Sequence, residues 1–297
     1  MTSFLNFHEA FHHVLDELTN RGSIVDGTNS IRSVGSQFSG SPRRTIELVG
    51  HSFSIVNSRD RWLPCRGSDK RYAVANLFWT LAGNSDADAI IHYNPRGKIF
   101  LEDSELKCAI PTRINNGSGG SQLVDVINLL RHDPSSRRAL VSFSRPEDIF
   151  DDALDFPCPS TMQFLIRGGS LTAVVNMRSQ SAFGVMPYDV YLFTMIQEVI
   201  AAELGVDVGE YIHMSGSIHI YEDELTRVLA LSDCSLGTDF MDRMPSVTPI
   251  SRPDILEAEK DIRFTGMFKP TGLKYWDDLL TELLPYIVLL RLAFYSH

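Results

Sequence analysis

The sequence predicts a single mixed α/β domain of the α+β type, in which helices pack on a mixed, mostly antiparallel sheet. Helical and strand-like apolar patterns both occur along the chain, but the strands do not alternate regularly with the helices, as they would in a parallel α/β fold. The 297 residues, 43% of them hydrophobic, suffice for one substantial core. No repeat, low-complexity tract or clear linker divides the chain, so we expect one domain over residues 1–297.

Apolar residues at helical spacing predict four helices, and short apolar runs predict the strands. The helices are expected at residues 4–20, 71–81, 121–131 and 191–204. Gly83 and Gly205 are the predicted terminators of two of them. A pair of strands is expected within residues 45–55. Single strands are expected at residues 139–143, 162–166, 171–176, 212–221 and 247–250.

Two regions are predicted to be irregular, and the end of the chain is predicted to add a helix. Residues 23–45 are rich in Ser, Gly and Arg and indicate a long loop. Prolines and glycines break residues 93–120, which we interpret as loops with short strands. Residues 271–297 are predicted to form an additional helical tail that Pro285 interrupts.

Composition excludes several classes of function. The net charge of −10 argues against sequence-independent nucleic-acid binding, although a local basic pocket for one phosphate is compatible with it. No apolar run reaches the ~18 residues of a membrane helix, and the first residues lack the pattern of a signal peptide. We therefore expect a cytoplasmic protein with reduced thiols and no metal site. The four cysteines lie far apart without metal-ligand spacing: Cys65, Cys108, Cys158 and Cys234.

Cys158 lies between two prolines, directly before a predicted strand. The prolines fix the local backbone, as a positioned nucleophile requires, and nearby positive charge would lower the pKa of the thiol. Arg137, Arg138 and the pair Arg178-Ser179 supply that charge and are suited to binding a phosphate. The alternatives are an inert buried cysteine and solvated surface arginines.

Three further polar residues occupy places suited to ligand binding. His219 and Tyr221 lie two residues apart on a predicted strand, so both side chains point to one face and can reach the same hydroxyl. The alternative is a strand with one polar face. Asp189 opens a predicted helix, where a carboxylate often serves only as a cap.

Taken in order, these segments resemble thymidylate synthase. The resemblance covers roughly residues 4–270 and is most specific over residues 123–225. Four segments carry it: the double-arginine segment 123–141, Phe156-Pro157-Cys158 followed by Gln163-Phe164, Arg178-Ser179 followed by Pro187-Tyr188-Asp189-Val190, and the segment 216–221.

The resemblance implies a homodimer in which Cys158 adds to carbon 6 of a pyrimidine nucleoside monophosphate. Carbon 5 then becomes nucleophilic toward a one-carbon electrophile, which is covalent catalysis. Arg137 and Arg138 are implied to reach across the dimer to a shared phosphate site. The residues implied to bind the nucleotide are Arg43, Arg44, Arg137, Arg138, Gln163, Arg178, Ser179, Asp189, His219 and Tyr221.

Asp189 is the most informative departure, because thymidylate synthases carry Asn at this place. A protonated carboxyl group can donate to the ring nitrogen of cytosine and accept from its amino group. The same exchange marks the deoxycytidylate hydroxymethylase branch of the superfamily. We therefore expect hydroxymethylation of carbon 5 of a cytosine nucleotide, dCMP or CMP. The alternatives are methylation of dUMP and a nucleotide-binding homologue with altered catalysis.

Other departures affect the expected cofactor, 5,10-methylenetetrahydrofolate. Asn76 replaces a catalytic Glu, so we place it beside Cys158 and Asp189 among the catalytic positions. Ser181 replaces an Asp that contacts the pterin. The nucleophile and phosphate residues thus match the family, whereas the folate and proton-transfer residues are altered. The cofactor site is expected to include Trp79, Phe100, Ser181 and Tyr188.

Overall fold

The computed structural model describes residues 1–28, 43–63, 66–83, 85–106, 109–115, 120–149, 156–231 and 240–285. The strands are β1 (Thr2–Phe4), β2 (Ser23–Thr28), β3 (Arg43–Ile55), β4 (Leu140–Ser142), β5 (Pro159–Arg167), β6 (Ser170–Met177), β7 (Gln180–Ser181) and β8 (Asp207–Tyr221). The helices are α1 (Phe7–Arg21), α2 (Lys70–Ala82), α3 (Ala87–Tyr93), α4 (Ile110–Ile114), α5 (Gln122–His132), α6 (Met186–Leu204), α7 (Leu225–Leu229), α8 (Asp254–Thr265) and α9 (Lys274–Glu282).

All eight strands form one mixed sheet, as the sequence predicts. The strand order is β1-β3-β8-β6-β5-β4, with β2 added beside β3 and β7 beside β8. The pairs β2–β3, β3–β8, β4–β5 and β5–β6 are antiparallel. The pairs β1–β3, β6–β8 and β7–β8 are parallel.

Helix α6 is the centre of the core. Nearly every residue from Met186 to Ala201 is buried, which is typical of a helix that is apolar all round. It packs on β6 and β8, whose inward side chains include the fully buried Val175 and Tyr211. Gly205 ends the helix in the left-handed conformation, at φ 68°. This confirms the predicted terminator.

The other predicted helices are also confirmed. Asn6 caps the N-terminus of α1, where its side chain accepts a hydrogen bond from the Glu9 amide at 2.9 Å. Asp69 caps the N-terminus of α2 by accepting from the Tyr72 amide, and Gly83 follows the last residue of this helix in the left-handed conformation. No helix in the described ranges is both long and apolar enough to cross a bilayer.

Three expected strand regions are wrong in detail. Residues 45–55 belong to the single strand β3, which pairs with β8 in one register on both sides of Gly50. In the described part of residues 93–120, Pro95 and Pro111 lie in the first turn of short helical segments, where a missing N–H has no cost. Residues 247–250 form a turn closed by a hydrogen bond from the Arg252 amide to the Thr248 carbonyl.

The regions flanking these elements also differ from expectation. Residues 23–28, expected to be irregular, form β2 because Ile24 pairs with Ile46 of β3. In the predicted tail, α9 ends at Glu282, three residues before Pro285. Residues 29–42 and 286–297 lie outside the described residues. Helices α3 and α8 were not expected from the pattern.

A buried ion cluster ties α6 to two neighbouring segments. The carboxylate of Glu198 accepts from Arg61 at 2.5 Å, from Arg59 at 2.6 Å and from the Met244 amide at 3.1 Å. Burial alone would raise the pKa of Glu198, but the charge of Arg61 and the hydrogen bonds lower it below its usual range. The stabilisation from this carboxylate is therefore present at neutral pH and is lost as the pH falls through the lowered pKa.

We expect Glu198→Ala to lower the free energy of unfolding by about 3–5 kcal/mol, because it leaves the buried Arg61 charge unpaired. Chemical denaturation at neutral pH measures the change. Asp278→Ala is the control, since it removes one partner of the exposed Lys274–Asp278 pair and should leave the denaturation midpoint unchanged. Equal effects of the two substitutions would contradict a structural role for the cluster.

Candidate active site

Cys158 and Arg178 lie side by side where β5 begins and β6 ends. The Arg178 amide donates to the Cys158 carbonyl at 2.8 Å. The Arg178 guanidinium donates to the Pro157 carbonyl at 3.0 Å. Cys158 is partly exposed.

A close backbone contact holds the segment after Arg178 against β8. A Cβ atom added to Gly216 would lie 3.2 Å from the Arg178 carbonyl oxygen, so this position favours glycine. Further along, Ser181 pairs with His219, and the Ala182 amide donates to the His219 carbonyl at 2.8 Å. The β7–β8 pairing therefore brings the 178–182 segment, with Ser179, to the strand that carries His219.

His219 and Tyr221 lie on β8 with ring centroids 5.2 Å apart. Burial lowers the pKa of His219, which favours a neutral imidazole able to exchange a hydrogen bond with a hydroxyl. The Arg43 guanidinium carbon lies 3.5 Å from the centroid of the Tyr221 ring. The structure thus places Arg43 beside the predicted sugar-binding residues.

Arg43 and Arg44 both pair with carboxylates. Arg43 forms an ion pair with Asp223. Arg44 contacts Asp26 at 2.8 Å and Glu222 at 3.0 Å. A phosphate that binds either arginine therefore competes with a carboxylate already bound there.

Asp189 is buried in the first turn of α6, with 8% of its surface exposed. The N-cap of α6 is Val185, so Asp189 does not cap the helix. Its Oδ2 atom accepts a hydrogen bond from Gln180 Nε2 at 2.9 Å. Burial raises the pKa of Asp189 to about 6, with Gln180 opposing the shift. This carboxyl group therefore keeps its proton to a higher pH than an ordinary aspartate, although the ionised form predominates at neutral pH.

Sequence reasoning missed Gln180 and Arg66. Arg66 Nε donates to the Phe183 carbonyl at 2.7 Å, and Nη2 donates to the Gly184 carbonyl at 3.0 Å. Arg66 thereby holds the turn that precedes α6 and Asp189. Neither residue belongs to a recognisable spacing pattern, so no signal in the sequence distinguishes them.

Arg137 and Arg138 lie at a distance from Cys158 within one chain. Both are exposed in the turn before β4, and the Arg137 carbonyl accepts from Gln163 Nε2 at 2.8 Å. Gln163 is five residues along β5 from Cys158, which corresponds to roughly 17 Å. The two arginines and Gln163 are therefore not brought to the cysteine of their own chain.

The residues expected to contact a folate are largely engaged within the protein. Trp79 is 9% exposed, and its indole N–H donates to the Asp86 carbonyl at 3.0 Å. The Tyr188 hydroxyl accepts from the Asp69 amide at 3.0 Å, and its ring packs edge-on against Tyr72. Phe100 is partly exposed at the end of a 3₁₀ segment.

These side chains do not fit a folate in the way the resemblance implies. Trp79 presents almost no ring surface for stacking. Ser181 has no carboxylate for the pterin amines. Asn76 is partly exposed on α2, one turn after Tyr72 and on the same face of the helix. The other predicted thiols, Cys65, Cys108 and Cys234, lie outside the described residues.

The chain is similar to thymidylate synthases in sequence and in fold. The family model described as thymidylate synthase matches residues 7–233. Thymidylate synthases of Listeria monocytogenes serovar 1/2a and Listeria innocua are each 36% identical over 116 residues. That match spans 39% of this chain and only 37% of each relative. The structure of thermostable thymidylate synthase A from Bacillus subtilis aligns with a TM-score of 0.64 and 19% identity. It covers 77% of this chain and 85% of that one, which shows a shared fold.

The raised pKa of Asp189 predicts a pH-dependent loss of stability. As the pH rises from about 4 to about 6, the unfolded chain releases this proton but the native state keeps it, so the free energy of unfolding falls. Relative to Asp189→Asn, the wild type should lose about 3 kcal/mol over this interval and no more above it. Denaturant titrations at several pH values measure the difference.

Asp148 provides a control, because its pKa is shifted in the opposite direction. Burial would raise its pKa, but hydrogen bonds from Arg113 and the Arg145 amide lower it. Its contribution is thus lost as the pH falls, so the wild type should lose stability relative to Asp148→Asn toward acid pH. A wild-type minus Asp189→Asn difference that is independent of pH would contradict the burial of a titrating Asp189.

Proposed function

The chain belongs to the thymidylate synthase family, and we propose that it transfers a one-carbon group to carbon 5 of a pyrimidine nucleoside 5′-monophosphate. The observation that carries this proposal is the backbone hydrogen bond that holds Arg178 beside Cys158. The Cys158 thiolate adds to carbon 6 of the base and makes carbon 5 nucleophilic, which divides a difficult substitution into easier steps. Arg178 and Ser179 bind the phosphate, while His219 and Tyr221 bind the sugar hydroxyl.

Asp189 supports cytosine as the base. Its carboxyl is buried, is not used as a helix cap and has a pKa of about 6. In its neutral form it donates to the ring nitrogen of cytosine and accepts from the amino group. We therefore propose hydroxymethylation of carbon 5 of a cytidylate, in which water adds after the one-carbon transfer. We favour dCMP over CMP, because Arg138 and Ser179 resemble the corresponding residues of the family members that use deoxynucleotides.

Methylation of dUMP is the second candidate. The relatives from Listeria are named thymidylate synthase, and that name favours uracil. A third candidate, from another class, is a nucleotide-binding protein without turnover, which Asn76 and the buried Trp79 favour. The partly exposed Cys158 opposes this third candidate, because a binding protein has no use for a thiol at the base.

A homodimer with a shared phosphate site explains the position of the two exposed arginines. Arg137 and Arg138 have no ion-pair partner among the residues that the structure describes, and their own Cys158 lies far away along β5. The outer face of the sheet carries neighbouring residues that are partly exposed, including Val174, Ile212 and Met214. A second copy packed on this face would bring the arginines of one chain toward the phosphate of the other.

The one-carbon donor is proposed from the family alone. Thymidylate synthases use 5,10-methylenetetrahydrofolate, and we propose a folate as the donor here. Because Trp79 and Ser181 do not fit the expected contacts, no catalytic step is assigned through it. The assay below includes reactions with and without this compound for that reason.

We expect Cys158→Ser to abolish turnover while leaving nucleotide affinity nearly unchanged, since a serine hydroxyl is a far weaker nucleophile than a thiolate. Tritium release from carbon-5-labelled dCMP, CMP and dUMP, with and without methylenetetrahydrofolate, measures activity, base and donor together. Serine substitutions of Cys65, Cys108 and Cys234 are the controls and should keep activity. If Cys158→Ser releases more than marginal amounts of tritium, Cys158 is not the nucleophile.

The same assay tests the shared site. Mixed dimers of a Cys158→Ser chain and an Arg137→Ala/Arg138→Ala chain should recover part of the activity, because one of the two hybrid sites keeps both the thiol and the arginines. Verified mixed dimers without recovery would count against a site built from two chains.

Asp189→Asn should lower affinity for cytidylate and raise affinity for uridylate. An Asn amide pairs with the uracil edge, and a buried polar group left unpaired costs ~1–3 kcal/mol, or roughly 5- to 150-fold in affinity. Calorimetric titration with dCMP, CMP, dUMP and UMP measures the change. Asp148→Asn, which alters an acid paired with Arg113, should leave the preference in place. A wild type that prefers uracil would favour dUMP methylation instead.

A further inference from the structure

Gln180 is the direct neighbour of Asp189 and has no role assigned by the sequence. It is 1% exposed on β7, where it pairs with Ile218 of β8. Its Nε2 donates to Asp189 Oδ2 at 2.9 Å. Its Oε1 is buried and has no hydrogen-bond partner among the described residues. An unpaired buried acceptor costs ~1–3 kcal/mol, so a ligand that donates to it gains that energy.

We propose that Gln180 is a second residue that selects the base, by fixing the proton on one oxygen of Asp189 and by offering its own oxygen to an exocyclic amine. The inference rests on the cytosine substrate proposed above and names a further residue for it. Gln180 acts partly through Asp189, so it is a positioning residue as well as a direct contact.

The first part of the argument concerns the proton. An amide N–H only donates, so Asp189 Oδ2 accepts, and the neutral carboxyl is favoured with its proton on Oδ1 because a carbonyl oxygen is the better acceptor. In the described structure Oδ1 forms no hydrogen bond, which leaves it for the ligand. Oδ1 then donates to the ring nitrogen of cytosine. The second lone pair of Oδ2 accepts from the amino group.

The second part concerns Gln180 Oε1, which needs a donor. The amino group of cytosine has two hydrogens, one for Asp189 Oδ2 and one for Gln180 Oε1. The corresponding group of uracil is a carbonyl, which has none and would face Oε1 with like partial charge. The amide therefore favours cytosine and opposes uracil at the same time, as selective sites commonly do.

Other groups around Asp189 do not supply this selection. Tyr211 of β8 faces the carboxyl, and its hydroxyl is paired with His213 Nδ1 at 2.9 Å. Burial raises the pKa of Tyr211 well above its usual value, so the phenol remains neutral. Burial lowers the pKa of His213 to about 3, so the imidazole is neutral as well. Gln180 is thus the one described side chain hydrogen-bonded to the carboxyl.

The test is Gln180→Met, which keeps the volume and removes the amide. We expect the ratio of the uridylate Kd to the cytidylate Kd, from calorimetry with dUMP, UMP, dCMP and CMP, to fall roughly 5- to 150-fold. The Kd of 2-deoxyribose 5-phosphate, which lacks a base, should not change. The pH at which cytidylate affinity declines should rise, because the Gln180 hydrogen bond lowers the pKa of Asp189. Gln180→Asn keeps an amide and should give an intermediate ratio.

Gln197→Met is the matched control. Gln197 is equally buried, and its Nε2 donates to the carbonyls of Leu171, Gly209 and Glu210. Its loss should lower stability without changing the base ratio. A wild type that prefers cytosine, combined with an unchanged ratio in both Gln180 variants, would overturn this inference alone. A wild type without cytosine preference would overturn the proposed base as well.

Discussion

The burial of α6 against the sheet is the constraint on which the rest of the structure depends. The helix is apolar on nearly all sides, so any displacement would expose core residues to water. Glu198 and Gln197 tie it to the neighbouring backbone through charged and amide hydrogen bonds. Its first turn is therefore held in one place. The same low-dielectric surroundings that stabilise the fold raise the pKa of the Asp189 carboxyl to about 6.

The main elements of the fold could be predicted because their patterns are local. Helices α1, α2, α5 and α6 and the central strands follow apolar spacing with recognisable end signals, such as Gly83 and Gly205. Strand β2 could not be predicted, because its pairing with β3 is a long-range event that its Gly- and Ser-rich surroundings do not encode. Pro95 and Pro111 misled the interpretation of residues 93–120, since proline begins helical turns as readily as it breaks strands.

The residues of the candidate site also differ in whether a local sequence pattern reveals them. Cys158, Arg178 and His219 stand out because rigid or polar residues flank them at family spacing, and the strands bring them to one end of the sheet. Gln180 stands out only in three dimensions, when its amide is seen against Asp189. Trp79 shows a different limit of the sequence. Its place in the family pattern suggests a folate contact, but only the structure shows that its ring is buried. Helices α8 and α9, which follow the matched residues 7–233, pack on the helix that carries Trp79.

The ion pairs of Arg43 and Arg44 have a consequence for ligand charge. These guanidinium groups already bind carboxylates, which compete with any other anion: Asp223, Asp26 and Glu222. An incoming phosphate gains only the difference between its own attraction and that of the carboxylate it replaces. A phosphate monoester, whose second pKa is about 6, is mostly a dianion at neutral pH and can displace the carboxylate. A singly charged diester brings no more charge than the carboxylate. In the proposed site, the two ion pairs would favour doubly charged monoesters over singly charged diesters.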